Sequence, residues 1–163
     1  ESKKLSPGRV EPYYLLYNLY AKKGEKEKSR AALENLVKQL PWYGGAKIML
    51  LSDVYKEDSA RAEELYKAGI KQRGYSEFGG LIKIISYLLE QKRYAETAPY
   101  YEQLFHSEPK RYDYRLDLAK VYYLSGNFDG AVGQINIINE QSPETLKGYE
   151  GFVNMVLAAY NKK

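Results

Sequence analysis

Between Tyr112 and Pro143 the apolar residues fall into two runs at helical spacing. Leu116, Ala119, Val121, Tyr122 and Tyr123 form the first, and Phe128, Ala131, Val132, Ile135 and Ile138 form the second. Gly126 separates them, because glycine accepts the left-handed backbone turn that ends a helix. Pro143 closes the second run, since its ring leaves no N–H to continue the ladder. The pattern predicts a helix hairpin in which the small residues Ala119 and Ala131 let the two backbones approach closely. Nothing along the chain alternates at period two, so strands are not expected.

The hairpin recurs. Pro41, Pro109 and Pro143 are separated by 68 and 34 residues, and the point 34 after Pro41 is Tyr75, inside the breaker stretch RGYSEFGG. A period of 34 residues divides the chain at 10–43, 44–77, 78–111 and 112–145. On that lattice the seventh position is Leu16, Leu50, Ile84 and Leu118. The eleventh is Tyr20, Val54, Leu88 and Tyr122. The twenty-seventh is Leu36, Ile70, Leu104 and Ile138. The fifteenth, where each first helix ends, is Gly24, Asp58, Lys92 and Gly126. The second repeat fits least well. Ala62 and Tyr66 lie one residue early, which predicts a turn one residue shorter around Lys56–Ser59.

At the two ends the pattern changes. Residues 1–9 carry a Ser-Pro-Gly breaker among polar residues and read as a flexible leader, so the domain itself is 10–163. After the Ser142-Pro143-Glu144 helix-start signature, Tyr149, Phe152, Val153, Val156, Leu157 and Tyr160 form one stripe. That stripe predicts a capping helix over 146–160, covering the apolar edge that the last hairpin would otherwise leave open.

These repeats resemble the tetratricopeptide repeat family. Leu118, Ala119, Tyr122, Gly126, Phe128, Ala131 and Pro143 carry the likeness in the fourth repeat. Leu81, Leu88, Tyr94, Tyr101 and Pro109 carry it in the third, and Tyr13, Leu16, Tyr20, Gly24 and Pro41 in the first, where Tyr17 stands at a position the family keeps small. The resemblance implies an all-α, right-handed α-α superhelix, a solenoid of four helix hairpins with a C-terminal capping helix. It also implies a scaffold for protein–protein interaction.

Composition removes several other classes of function. The chain has no cysteine, which excludes disulfides, thiol nucleophiles and thiolate metal sites. His106 is the single histidine, and no set of residues has metal-ligand spacing, so neither an enzyme nor a cofactor is expected. The net charge is +4, but it reverses along the chain. Residues 1–43 hold nine basic and five acidic side chains, a balance of +4, and residues 112–145 hold two and five, a balance of −3. A nucleic-acid track would be continuously positive, so none is expected. No apolar run approaches the roughly 20 residues that span a bilayer. The chain begins at Glu1 without methionine, which suggests a piece of a longer protein. The compartment stays open between the cytoplasm and the extracytoplasmic face of a bacterial membrane.

In the family, the first helices of successive hairpins line a concave groove. The matching positions here include Tyr14 and Asn18, then Ile48, Ser52 and Tyr55, then Ile82, Ser86 and Leu89, then Leu116, Lys120 and Tyr123. Eighteen tyrosines against four phenylalanines suit such a surface, because tyrosine joins an apolar ring to a polar tip. A peptide or protein partner is the occupant this implies. Packing between hairpins is the competing use for Ile48, Ile82 and Leu116. The family's carboxylate clamp would need Tyr14, Asn18, Met49, Gly79 and Lys83 to be basic or amide residues, and only Asn18 and, in part, Lys83 comply. Two alternatives remain: a soluble appendage of a membrane-anchored bacterial enzyme or assembly factor, and single-stranded RNA binding by pentatricopeptide-like hairpins.

Overall fold

The structure, a computed structural model, describes residues 9–162, apart from the side chain of Phe78. The leader expected over 1–9 therefore lies outside the described residues, save Arg9. The described residues are helical and contain no strand. In chain order they form α1 Glu11–Lys22, α2 Lys26–Gln39, α3 Gly44–Val54, α4 Ser59–Gly69, α5 Gly80–Glu90, α6 Tyr94–Ser107, α7 Tyr112–Leu124, α8 Phe128–Gln141 and α9 Glu150–Tyr160. Short 3-10 turns at Glu77–Gly79 and Pro143–Leu146 precede α5 and α9. The chain divides into two compact units between Ile84 and Ile85, a point inside α5.

In the first unit, α1 pairs with α2 and α3 with α4. Leu33, Leu36, Leu50, Leu51 and Val54 are fully buried along these seams. Tyr13, Leu40, Tyr43 and Ala46 extend the core to the turn between α2 and α3. Burying side chains of this size contributes roughly 1.5–3 kcal/mol each, and this is what holds helices too short to stand alone in water. Close approach sets the angle at which α3 meets α4. A Cβ at Gly44 would lie 2.2 Å from the Gly69 carbonyl oxygen, so only glycine permits the contact.

The second hairpin departs from the expectation of a shorter turn. α4 does begin one residue ahead of the lattice, but α3 stops at Val54, so the connection 55–58 is the longest of the four. Asp58 ends this turn by a different device from Gly24 and Gly126: its side chain accepts a hydrogen bond of 2.9 Å from the Arg61 N–H and caps α4. α4 also ends early, at Gly69, and residues 70–79 run as turns. An isolated backbone bridge between Tyr43 and Arg73 ties this segment to the start of α3. The Tyr43 hydroxyl adds a 2.6 Å bond to the Glu77 carboxylate.

In the second unit, α7 packs on α6 and α8, and α9 packs on α8. Ala119, Ala131, Ile135 and Val156 form its buried centre, with Tyr122, Tyr123, Phe152 and Val153 around them. Asn127 caps α8 by accepting from the Gly130 N–H at 3.0 Å. The capping helix starts later than expected. Pro143 opens only a 3-10 turn, Gly148 then takes φ +83°, and regular helix begins at Glu150. Of the predicted stripe, Val156 is fully buried and Phe152 and Val153 are half-buried, while Tyr149, Leu157 and Tyr160 stay exposed.

Candidate partner-binding surface

Within the first unit, α1, α3 and the opening turn of α5 are joined side by side through polar contacts. The Tyr17 hydroxyl on α1 reaches the Asp53 carboxylate on α3 at 3.4 Å. Lys83 on α5 donates to the Ser52 hydroxyl at 3.3 Å, and Ser52 in turn donates to the Met49 carbonyl at 2.7 Å. Arg30, from α2, grips Glu57 with two bonds of 2.8 and 3.0 Å and the Asp53 carbonyl with a third of 2.9 Å. These residues surround a cavity of about 340 Å³ lined by Tyr17, Ala21, Gly24, Lys26, Ser29, Arg30, Ser52, Asp53 and Glu57.

Burial governs the electrostatics here. It pushes the Tyr17 hydroxyl up to about 12, with the charge of Asp53 adding to the shift. It also raises the Asp53 carboxyl above its usual range, against the pull of Lys83 and Arg30. The Lys83 ammonium is lowered by burial, against the attraction of Asp53. On both groups desolvation outweighs their mutual attraction, as it does for charges that are half-buried without direct contact.

The residues expected to line a groove separate into three groups. Tyr14, Asn18, Ser52 and Tyr55 are half-buried in the first unit, close to this cavity's walls in sequence, and Ile82 is 40% exposed. Tyr14 stacks on Tyr17 with centroids 6.3 Å apart, and the Lys56 ammonium lies 5.5 Å from the Tyr55 ring. Ser86 is exposed and Leu89 half-buried in the second unit. Ile48 and Leu116, by contrast, are buried at 0% and 3% exposure. Ile48 faces Gly69 and Gly80, so it packs inside the fold and offers nothing to a ligand. On α7 the helix α9 occupies the expected face. Tyr123 meets Phe152 edge-on at 5.9 Å and Phe128 at 5.8 Å, and Lys120 pairs with Asp117 at 2.9 Å while lying over the Tyr149 ring.

Asp53, Arg30 and Glu57 were not anticipated as site residues. Two signals pointed there: Tyr17 at a position the family keeps small, and the polar pair Ser52-Asp53 interrupting the apolar run IMLLSDV. His106 is exposed near the end of α6. No group of three or more potential metal ligands occurs among the described residues. No helix among them is long and apolar enough to cross a membrane.

The family model described as Tetratricopeptide repeat matches residues 88–148, which run from the end of α5 past α8. Over these residues the chain is similar to that family. Over the rest of the chain the likeness is structural. The solved structure of MamA 41-end from Desulfovibrio magneticus RS-1 superposes with a TM-score of 0.62 at 14% identity, covering 93% of this chain and 91% of that one. A second, MamA MSR-1 C2, gives 0.59 at 16% identity, covering 92% and 91%. At such identities the similarity is one of fold, an all-helical tetratricopeptide-type array of hairpins. No curated protein matches the sequence.

Proposed function

We propose that the chain is a protein–protein interaction module that holds a peptide or protein partner on the first-helix faces of its hairpins. The observation that carries this reading is the 340 Å³ cavity of the first unit, opened among α1, α2 and α3 by side chains of mixed polarity. Tetratricopeptide hairpins commonly serve as scaffolds, and the half-buried Tyr14 and Tyr55 on these helices suit aromatic anchoring of a partner. The RNA alternative gains no support, because Lys26 and Arg30 are matched in the cavity wall by Asp53 and Glu57 and no positive track forms there.

Selection of random peptides against the whole chain tests the proposal. Enriched peptides should bind the parent and lose roughly 2 kcal/mol, about 30-fold in affinity, when Tyr14 and Tyr55 are both changed to Ala. Unaltered affinity in that folded variant would move the binding surface elsewhere. Failure to enrich any peptide would remove the reading.

A further inference from the structure

Hydrogen-bond accounting around the cavity shows which chemistry it lacks. Most of its buried or half-buried donors are engaged. Three bonds engage the Arg30 fork, two to Glu57 and one to the Asp53 carbonyl. The Ser29 hydroxyl is spent on the Tyr17 carbonyl at 3.1 Å, and the Ser52 hydroxyl on Met49. Lys26 remains on the wall, exposed and free to keep its water. The acceptors are not committed to the same degree. A carboxylate offers about four lone-pair sites. The Asp53 carboxylate, half-buried in the wall, receives among the described residues one bond, from Tyr17 at 3.4 Å.

Charge points the same way. Arg30 and Glu57 cancel as a bidentate pair, and Lys83 reaches Ser52 without lining the cavity. Of the two charges left in the lining, Lys26 is exposed and hydrated, whereas Asp53 is half-buried and holds its carboxylate to the Tyr17 hydroxyl alone among the described residues. A ligand group supplying donors and positive charge would complete that carboxylate, whereas an anion would be repelled by it in partly desolvated surroundings.

We propose that this cavity receives the side chain of an arginine or lysine of the bound partner, its cationic head on the Asp53 carboxylate and its stem along Tyr17 and Ala21. The inference rests on the peptide-binding reading above and specifies what that partner must carry.

The test uses the whole chain, labelled with ¹⁵N, and blocked tripeptides with Arg, Lys, Glu or norleucine at the centre. The Arg and Lys peptides should produce saturable shifts at the amides of Gly24, Ser52 and Asp53. The Glu and norleucine peptides should bind at least about tenfold more weakly. Asp53→Asn should abolish that preference without lowering the melting temperature, because the buried charge it removes is not well compensated. The comparison among peptides on the parent chain stands even if the variant folds poorly. Binding of the Glu or norleucine peptide as tight as that of Arg, or an Arg preference that survives Asp53→Asn in a folded protein, overturns the inference and leaves the interaction module intact. If the tripeptides leave the cavity unperturbed while selected longer peptides bind, the inference falls alone. If neither class binds, both readings fall.

Discussion

The helices α3 and α7 hold corresponding places in hairpins 68 residues apart, yet they are used differently. α7 buries Leu116, Leu118, Ala119 and Val121 of its 13 residues and keeps a solvated side. α3 buries eight of 11, including Gly44, Gly45 and Ala46, so no solvated stripe survives along its first two turns. A helix covered nearly all round must let its neighbours approach to backbone distance, and it does so with small residues at its start. The consequence for function is spatial. Apart from Lys47, α3 offers surface chemistry from its last turn and the residue after it, where Ser52, Asp53 and Tyr55 stand. The fourth hairpin differs: α9 packs on α8, and Phe152 and Tyr149 reach across to Tyr123 and Lys120 on α7.

The most severe way to break this contrast is Gly44→Ala. The added Cβ would lie 2.2 Å from the Gly69 carbonyl oxygen and 3.0 Å from that of Gln72, both of them backbone atoms that cannot rotate away. α3 and α4 would have to separate, at a cost of about 3 kcal/mol, the upper part of the range for overpacked sites. Urea or thermal unfolding of the variant measures it. A loss under about 1 kcal/mol would show that the second hairpin is not held by backbone contact.

The corresponding change in the fourth hairpin should act in the other direction. Gly133 sits inside α8, and a Cβ there would meet no heavy atom within 4 Å. Gly133→Ala should therefore stabilise the protein by about 1 kcal/mol, through helix propensity and a less flexible unfolded chain. Thermal unfolding reads this as a rise of a few degrees. A destabilised variant would mean that a partner or neighbouring segment needs the bare backbone at that position.

The contrast also explains which features were legible in the sequence. Residues such as Leu50, Leu118 and Ile138 recur at 34-residue intervals because each hairpin repeats its own seam, a local relationship that periodicity records. The early end of α4 was not legible, since it depends on Gly69 meeting Gly44 and Ile48, residues more than twenty positions away. The site behaves in the same way. That Tyr14, Asn18, Ser52 and Tyr55 are not fully buried could be read from their places on the repeat. The burial of Ile48 and Leu116, and the covering of Tyr123 by Phe152, follow from neighbours that a single repeat does not specify. Asp53 gains its significance from Tyr17 and Lys83, each about thirty residues distant on another helix.

The smallest expected effect concerns the turn that follows each first helix. Gly24 and Gly126 take φ +73° and +80° there, and Lys92, at the corresponding position of the third hairpin, takes φ +55°. The Lys92 N–H still bonds to the Leu89 carbonyl at 2.9 Å, and that of Arg93 to Leu88 at 2.8 Å, so the third hairpin makes the same turn without the residue suited to it. A left-handed conformation costs a side-chain-bearing residue roughly 1–2 kcal/mol. Glycine removes that strain but gives back part of the gain through its freer unfolded state, an effect of about 0.4–1 kcal/mol. Lys92→Gly should accordingly stabilise the protein by about 0.5 kcal/mol. The equivalent exchange in the second hairpin, Asp58→Gly, should destabilise it by a few tenths of a kcal/mol, because Asp58 sits at φ −141° as a helix cap and a glycine cap costs little. Opposite signs for the two substitutions in parallel denaturant titrations would confirm that the second hairpin turns by a different device from the others. Equal signs would place it back with them.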